Sequence, residues 1–458
     1  MIDAIAGCTL TGWGEGHWPT KPTLSDIVSD GLLLCCYVIA LDQLGGDEQM
    51  SSGMSEKPIE DVDLGDVSLW EQGPPHAVFE RLRKEDPVHW SEMAGWEGES
   101  GFWSITKAED VHAISRDWET FSSERGGILA ADHSVPIEFQ NAMFIGMDPP
   151  RHDRIKNLFQ RGFTPKRIAA HEDEIRVITT RVLDGLEGRT EFELVTDLAQ
   201  PVVGRVIGSF LGAPEEDDAM WADFANRGLA LGDDELQPEG EGTVLELIQS
   251  GVARVIGMAA ERRENPTDDL TSLLVHAEID GESLDDYEIA SGFALLVAAG
   301  NDSTKATFSS GMLALLREPD QLQRLVEDPS MIPVAVEEFL RMFPAFAHFR
   351  RTANRDVEFG GKKIREGDKV IMWYPSSNRD ESLHKCPHTM DVERNPDHQA
   401  FGAGGRHFCL GTALARLELK ILFEETLARF PDMELAGEPS IVRSLFANQP
   451  RAVPVKVS

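Results

Sequence analysis

The chain has 458 residues, of which 41% are hydrophobic, with five cysteines and a formal net charge of −36. This length and apolar content suit a globular protein with a sizeable core, while the excess of acids disfavours binding to nucleic acid or to anionic membrane surfaces. The small, odd number of cysteines is unlike a secreted disulfide framework, so a reducing cytoplasm is expected.

Residues 1–57 are predicted to be an N-terminal extension whose role is not defined by the sequence. Met50 and Met54 are alternative initiator methionines. The apolar run at 32–41 is short, because a membrane-spanning helix needs about 20 residues. Acids outnumber cations before this run, which is unlike a secretory signal. No membrane span is therefore expected.

The first regular elements are predicted from turn residues and periodicity. Prolines at the start of 74–83 predict a helix there. Two β-like runs at 87–90 and 102–106 predict a hairpin, because a glycine-rich turn separates them. A further helix is expected over 107–115.

Residues 121–147 show no clean periodicity and are predicted to be a long loop, which in a compact domain usually carries function. A Pro-Pro turn then leads into a helix on which His152 and Lys156 share one face. Two such groups suit a carboxylate ligand, and a solvated helix face is the alternative. Amphipathic helices are expected over 165–263, with an acidic surface loop at 233–242.

A long helix is predicted from a capping motif that begins at Ser283 and is expected to run to Leu316. Its middle is apolar on every side and should be buried. The polar turn of Asp302, Ser303 and Thr304 is expected to interrupt it, because Ser and Thr hydroxyls can bond back to carbonyls one turn earlier. Such a turn suits proton delivery, and a satisfied polar patch or a kink is the alternative.

The next helix carries Glu338 and Arg341, which are spaced to form an ion pair. An exposed pair of this kind would contribute little. Phe346 and Phe349 follow a proline and are expected to line an apolar pocket. A strand, a turn and a second strand are predicted over 357–374.

The loop Phe401-Gly-Ala-Gly-Gly-Arg-His-Phe-Cys-Leu-Gly411 carries a single cysteine, Cys409, among four glycines. The glycines are expected to adopt positive φ and to let the backbone press against a flat partner such as a haem. Apolar periodicity predicts a helix over 412–423, so Cys409 lies near the positive helix end, where a thiolate is favoured. Cys409 is therefore predicted to be a metal ligand, and a buried structural cysteine is the alternative.

Taken together, these elements resemble the cytochrome P450 family over residues 58–458, as a single catalytic domain. The motifs that carry the resemblance occur in the family's order: the Pro149-Pro150 turn with His152, the patch 299–304, the Glu338 and Arg341 pair, and Gly405-x-His407-x-Cys409-x-Gly411. The resemblance implies a mainly α fold with a small β region (α+β), triangular in outline, with the long central helix over haem.

By this resemblance Cys409 is the axial thiolate of the iron of haem b. Other residues implied to bind the cofactor are His152, Lys156, Arg351, Phe401, His407 and Gly411. The catalytic acid–alcohol residues would be Asp302 and Ser303, with Thr304 as a substitute, and Glu338 and Arg341 would be a structural pair. The implied substrate pocket comprises Ile128, Leu129, Phe144, Val297, Ala298, Phe346 and Phe349.

Three departures from the family pattern bear on function. Phe401 is one residue further from Cys409 than is common. Ser303 replaces the usual threonine, which removes the β-branch that restricts the hydroxyl. Lys156 stands where arginine is frequent, so the charge remains while a bidentate grip is lost.

The resemblance implies a soluble, cytoplasmic, monomeric monooxygenase that inserts one atom of O2 into an unactivated C–H bond of an apolar substrate. Electrons would come from NAD(P)H through a ferredoxin reductase and a ferredoxin, which would dock on Arg154, Lys156, Arg406 and Arg416. The motifs are most similar to the bacterial branch that hydroxylates terminal carbons of branched lipids and steroid side chains. A peroxide-driven peroxygenase and a non-catalytic haem-based sensor are the alternatives.

Overall fold

A computed structural model of the protein describes residues 57–132, 135–229, 244–279 and 281–458. The predicted extension, apart from its last residue, and the predicted loop at 233–242 lie outside the described residues. From Pro58 onward the described chain forms one unit.

Helices dominate this unit. The α-helices are α1 (His76–Glu85), α2 (Ala108–Arg116), α3 (Ile137–Ala142), α4 (Arg151–Gln160), α5 (Pro165–Ala169), α6 (Glu172–Asp184), α7 (Gln200–Leu211), α8 (Asp218–Leu229), α9 (Val244–Glu264), α10 (Leu270–Val275), α11 (Asp286–Arg317), α12 (Pro319–Glu327), α13 (Ile332–Met342), α14 (Tyr374–Ser377) and α15 (Thr412–Arg429). Short 3-10 turns lie at Ile59–Asp61, Val67–Trp70, Phe144–Gly146, Glu215–Asp217 and Pro329–Met331, and a π-helical segment at Leu194–Ala199.

The strands are short. They are β1 (Val88–Ser91), β2 (Phe102–Ile105), β3 (Phe121–Ser122), β4 (Glu191–Glu193), β5 (Glu278–Ile279), β6 (Glu282–Ser283), β7 (His348–Ala353), β8 (Val357–Phe359), β9 (Lys362–Ile364), β10 (Lys369–Trp373), β11 (Glu434–Leu435), β12 (Ser440–Ile441), β13 (Pro450–Ala452) and β14 (Pro454–Lys456). The largest sheet has the order β1-β2-β10-β7-β3, and a smaller one has the order β11-β14-β4. The predicted α+β class, mainly helical with a small β region, is confirmed.

Several predicted strands are present, but not all of them pair with the strand that was expected. The hairpin pairs β1 with β2, with Val88 opposite Ile105. The strand, turn and strand predicted over 357–374 form two different pairings, because β8 pairs with β9 while β10 pairs with β7 and β2. The loop predicted over 121–147 is wrong in part, since it contains β3 and α3. A helix of six residues is too short for its periodicity to be visible in the sequence.

The long helix α11 starts and continues differently from its prediction. Its cap is Asp285, whose side chain accepts from the Glu288 N–H while the Glu288 side chain accepts from the Asp285 N–H, so the predicted cap at Ser283 is wrong. The helix is unbroken through its polar turn, so the predicted interruption is also wrong. Ser303 Oγ donates to the Ala299 carbonyl at 2.6 Å, which satisfies the hydroxyl without opening the helix.

The core of the fold surrounds α11, which packs against α7, α8, α9 and α15. Phe308 and Phe339 both pack on Phe423 of α15, with ring centroids 5.0 and 4.7 Å apart. Each ring is fully buried, and burial of such a side chain contributes about 1.5–3 kcal/mol. This packing fixes α11 relative to α15, the two helices that border the site described below.

One described stretch, Leu194–Leu211, is long and apolar enough to cross a membrane. However, 72% of it is buried inside the protein. A helix in the core of a globular domain has the same composition.

Candidate active site

A cavity lies between the middle of α11 and the cysteine loop at 401–411. Leu295, Leu296 and Ala299 line its α11 side, and Cys409 and Phe401 line the opposite side. The cavity is mostly apolar and carries a few polar groups at its rim. This is the usual composition of a site for a cofactor or an apolar ligand.

The cysteine loop presents the thiol of Cys409 to this cavity. The Cys409 N–H donates to the Phe401 carbonyl at 2.9 Å, which closes the loop around its glycines. Gly402, Gly404 and Gly405 have φ of 89°, 85° and 79°, as predicted. Gly411 differs from its prediction, because its φ is −85° and it is the N-cap of α15.

Gly405 also allows a close approach between the loop and α2. A Cβ at this position would lie 2.6 Å from the Ser115 carbonyl oxygen. Ser115 Oγ in turn donates to the Gly404 carbonyl at 2.8 Å. The loop is therefore held against α2 at a distance that only glycine permits.

The Cys409 thiol is surrounded by groups that act on its charge in opposite directions. Burial raises its pKa, while the Gly411 N–H and the charges of Lys156 and Arg416 lower it. A bound metal cation would decide this balance, because a coordinating thiol is deprotonated. The donor set therefore fits a thiolate ligand to iron.

Three basic side chains lie at the rim of the cavity. Nε2 of His152 is buried and has no hydrogen-bond partner among the described residues. The His152 ring packs against His407, with centroids 4.2 Å apart. Within the described ranges, Arg351 is buried and donates one side-chain hydrogen bond, to the Arg350 carbonyl at 2.8 Å.

These groups need an acceptor from outside the chain. Burial lowers the pKa of the Arg351 guanidinium, because a charge without a carboxylate partner is costly in a closed site. The two propionates of a haem would supply acceptors for Arg351 and for the orphaned His152 nitrogen. His407 is oriented by Ser123, whose Oγ is 3.2 Å from its Nε2. The residues present therefore fit haem b.

Lys156 lies at the cavity, as predicted, and also bonds to the cysteine loop. It borders the cavity, but its ammonium donates to the backbone carbonyls of Arg406 and Phe408, the latter at 2.8 Å. Lys156 therefore holds the loop, and its direct binding to the cofactor stays a prediction.

The acid–alcohol pair of α11 is divided between two environments. Ser303 and Thr304 line the cavity, and Asp302 does not. Asp302 is buried behind the helix, where it pairs with Lys305 and accepts from Gln449 Nε2 at 3.0 Å. Adjacent helical residues project about 100° apart, and the packing of α11 turns Asp302 away from the cavity while Ser303 and Thr304 line it.

Sequence reasoning missed an acid that does line the cavity, Glu418 of α15. It accepts a hydrogen bond from Thr304 Oγ1 at 3.0 Å. Burial raises the pKa of Glu418 to about 8, so the carboxyl group is largely protonated at neutral pH. The signal in the sequence was an acid one turn after Leu414, on the apolar stripe of the helix.

Only part of the predicted substrate pocket faces the cavity. Phe144, Phe346 and Phe349 line it. Phe163 also lines it, although the sequence analysis did not predict this residue. Four predicted members do not line it: Ile128, Leu129, Val297 and Ala298. The first two are held by their backbone carbonyls against Arg350 of β7, and the last two lie on other faces of α11.

The Glu338 and Arg341 side chains form a fully buried pair on α13. Arg341 donates from Nε and Nη2 to the Glu338 carboxylate at 2.7 and 2.8 Å. Its Nη1 also donates to the carbonyls of Asn378 and Pro387. The pair joins α13 to the segment that leads to the cysteine loop and lies outside the cavity lining.

Three features of the site define a haem–thiolate protein. They are a cysteine presented by a glycine-rich loop, a basic rim suited to propionates, and an apolar helix on the opposite side of the cavity. A family model described as "Cytochrome P450" matches residues 246–439. The methyl-branched lipid omega-hydroxylase of Mycobacterium tuberculosis is 37% identical over 410 residues, which cover 87% of this chain and 95% of that protein. The chain belongs to the cytochrome P450 family and is a P450 monooxygenase with haem iron held by a cysteine thiolate.

Further similar proteins agree in fold and class. A steroid C26-monooxygenase of Mycolicibacterium smegmatis is 31% identical over 85% of this chain and 92% of its own. The solved structure of Mycobacterium marinum cytochrome P450 CYP268A2 in complex with pseudoionone superposes with a TM-score of 0.81 at 36% identity. The superposition covers 88% of this chain and 100% of the Mycobacterium marinum chain.

Proposed function

We propose that this P450 hydroxylates a terminal methyl carbon of a branched, apolar substrate, either a methyl-branched lipid or a steroid side chain. The observation that carries the proposal is the apolar cavity facing Cys409, with Phe144, Phe346 and Phe349 in its lining. Such a lining binds a hydrocarbon chain by burial and offers it few polar contacts. Relatives named for these two substrate classes support the choice.

The roles of the site residues follow from their positions. Cys409 would be the axial ligand, and His152, Arg351 and His407 would hold the propionates, with Phe401 and Gly411 against the macrocycle. When bound, the haem supplies the oxygen-activating chemistry. Ser303 presents a hydroxyl to the cavity and would hold and pass protons there, since Asp302 is directed away. Thr304 would assist through its hydrogen bond to Glu418.

Electrons would arrive from NAD(P)H through a ferredoxin reductase and a ferredoxin, with the protein acting as a monomer in the cytoplasm. The four predicted docking cations all have partners within the chain. Arg154 pairs with Glu288, Arg406 with Asp153 and Arg416 with Glu337, while Lys156 binds loop carbonyls. Arg406 is the best remaining candidate for docking, because its side chain is 46% exposed.

Spectroscopy and product analysis test the proposal together. We expect the reduced, carbon-monoxide-bound protein to show the red-shifted absorption band of a thiolate ligand and Cys409→Ser to lose it. Cys386→Ser, which removes an exposed cysteine outside the cavity, is the matched control and should keep the band. A methyl-branched fatty acid and a steroid with a branched side chain should shift the spin state and yield terminal alcohols. Absence of the band in the wild type, or oxidation only at internal carbons, would refute the proposal.

A peroxide-driven peroxygenase is the second candidate, and the direction of Asp302 favours it. Hydrogen peroxide brings the two electrons and two protons that the route from O2 must take up, so the reaction does not need Asp302 to deliver protons from outside the cavity. Turnover with hydrogen peroxide, combined with none from NAD(P)H, reductase and ferredoxin, would select this alternative.

A further inference from the structure

Tyr374 is a buried tyrosine in the wall of the cavity. It follows β10 directly, as the first residue of α14, and only 3% of its surface is exposed. Within the described part of the chain its hydroxyl forms no hydrogen bond, and burial raises its pKa to about 12. A buried tyrosine hydroxyl usually has a hydrogen-bond partner, because burial removes its bonds to water. The hydroxyl of Tyr374 therefore needs an acceptor from outside the chain.

Two neighbouring elements fix the position of this side chain. The Tyr374 N–H donates to the Ala347 carbonyl at 3.0 Å, and the Tyr374 carbonyl accepts from the Asn378 N–H, also at 3.0 Å. The ring packs edge-on against Phe349 of β7, with centroids 6.2 Å apart and an angle of 67° between the planes. The phenol is therefore held in place before a ligand binds, which lowers the entropy cost of binding.

Arg351 lies beside Tyr374. Phe349 and Arg351 are two residues apart on β7, so their side chains project from the same face of the sheet. The Tyr374 ring packs on Phe349, and the charge of Arg351 acts on the Tyr374 hydroxyl. Because the phenol is protonated at neutral pH, it is a second donor next to the guanidinium and does not neutralise it.

The acid whose charge acts on Arg351 has other partners. Asp148 accepts from the Ser122 hydroxyl and from the Ser123 N–H, the latter at 2.9 Å. Two adjacent donors, Arg351 and Tyr374, therefore line the cavity, and one of them carries a charge. A carboxylate suits both donors, because its two oxygens offer about four acceptor sites. A water molecule would leave the charge of the buried guanidinium uncompensated.

We propose that Tyr374 is a further cofactor-binding residue, whose hydroxyl donates to the same haem propionate that Arg351 binds. Strand β7 and the start of α14 then hold one carboxylate together. A hydrogen bond to an ionised acceptor is stronger than one between neutral groups, so a single hydroxyl contributes measurably to haem retention. The proposal rests on the proposed role of Arg351 as a propionate ligand.

The test compares the haem-loaded wild type with Tyr374→Phe, which keeps the ring and its contact with Phe349 and removes only the hydroxyl. The propionate bending bands of the resonance Raman spectrum report the hydrogen bonds of each carboxylate. One of these bands should move to lower frequency in Tyr374→Phe, because its carboxylate has lost a donor. Haem transfer to a scavenging apoprotein should become about tenfold faster, as expected when one hydrogen bond to a charged group is lost.

Two further variants make the result specific. Tyr287→Phe removes the hydroxyl of a tyrosine that is 50% exposed near the start of α11, and it is the matched control. It should leave the Raman bands and the rate of haem transfer unchanged. Arg351→Gln should shift the same propionate band as Tyr374→Phe, because the two residues bind one carboxylate.

Three outcomes would overturn the proposal. Unchanged Raman bands and an unchanged transfer rate in Tyr374→Phe would mean that the hydroxyl binds only water in the cavity. Faster haem loss with unchanged bands would mean that Tyr374 acts only through packing. Shifts of different bands in Tyr374→Phe and Arg351→Gln would mean that the two residues do not share a propionate. Failure of the proposed function is distinguishable from all three, because the Raman bands require bound haem but neither substrate nor electron donor.

Discussion

Asp302 and Ser303 are consecutive residues of α11, and the structure places their side chains on different sides of the helix. Ser303 borders the cavity opposite Cys409, whereas Asp302 is buried against Lys305 and Gln449. The Lys305 ammonium also donates to Gln200 at 3.2 Å and to Asn226 at 2.7 Å. The acid is therefore part of a buried polar network that joins α11 to α7, α8 and the C-terminal segment.

This network leads to a prediction about stability. Lys305→Met should lower the free energy of unfolding by about 3–5 kcal/mol, because it leaves the Asp302 charge buried without a cation. The double variant Lys305→Met with Asp302→Asn should lose clearly less, since no uncompensated charge remains. Urea denaturation measures both, and Lys363→Met, which removes an exposed ion pair, is the control. A double variant less stable than the single one would contradict the pairing.

The raised pKa of Glu418 predicts a pH dependence. The folded protein binds this proton more tightly than the unfolded chain, whose glutamate pKa is near the ordinary value of 4.5. The stabilising contribution is therefore complete below about pH 4.5. It is lost as the pH rises through about 8. Glu418→Gln mimics the protonated form and should flatten the fall in unfolding free energy between about pH 5 and about pH 8. Glu425→Gln on the same helix should keep the wild-type slope, and an unchanged slope in Glu418→Gln would refute the assignment.

The unpaired charge of Arg351 predicts a specific effect on the cofactor. Arg351→Gln should weaken haem binding by about 1.5–3 kcal/mol, or roughly ten- to a hundredfold, because a charged hydrogen bond to a propionate is lost. The haem-free protein should not lose stability, since the guanidinium is buried without a carboxylate partner there. Haem transfer to a scavenging protein measures the first effect, with Arg355→Gln, an exposed neighbour, as control. Equal haem loss rates in the two variants would exclude Arg351 as a propionate ligand.

The exposed Arg406 predicts a salt-dependent effect on electron transfer. Arg406→Glu should raise the KM for ferredoxin several-fold at low ionic strength, and the difference should shrink as salt screens the charges. Turnover driven by peroxide should be unaffected, because it needs no protein partner. Arg365→Glu, exposed in the turn between β9 and β10, is the matched control. An equal loss in both variants would mean that net charge alone, and no local docking, is responsible.

Residues whose roles depend on local spacing could be predicted from the sequence. The positive φ of Gly402, Gly404 and Gly405 and the start of a helix just after Cys409 follow from composition and periodicity within one short segment. The pairing of Glu338 with Arg341 follows from a helical spacing of three, whereas its burial does not. In each case the interacting atoms lie within a few residues of one another, so the chain geometry itself brings them together.

The tertiary structure decided which face of each element meets the cavity. The helical period implies that the side chains of Asp302 and Ser303 point in different directions. Only the packing of α11 on α7 and α15 determines that Ser303 faces Cys409. Thr304 and Glu418 are 114 positions apart. Lys156 reaches the carbonyl of Phe408 from 252 positions away. The sequence thus determined the cysteine loop, the long apolar helix and the family, whereas burial and contact between distant elements determined the roles of the polar residues around them.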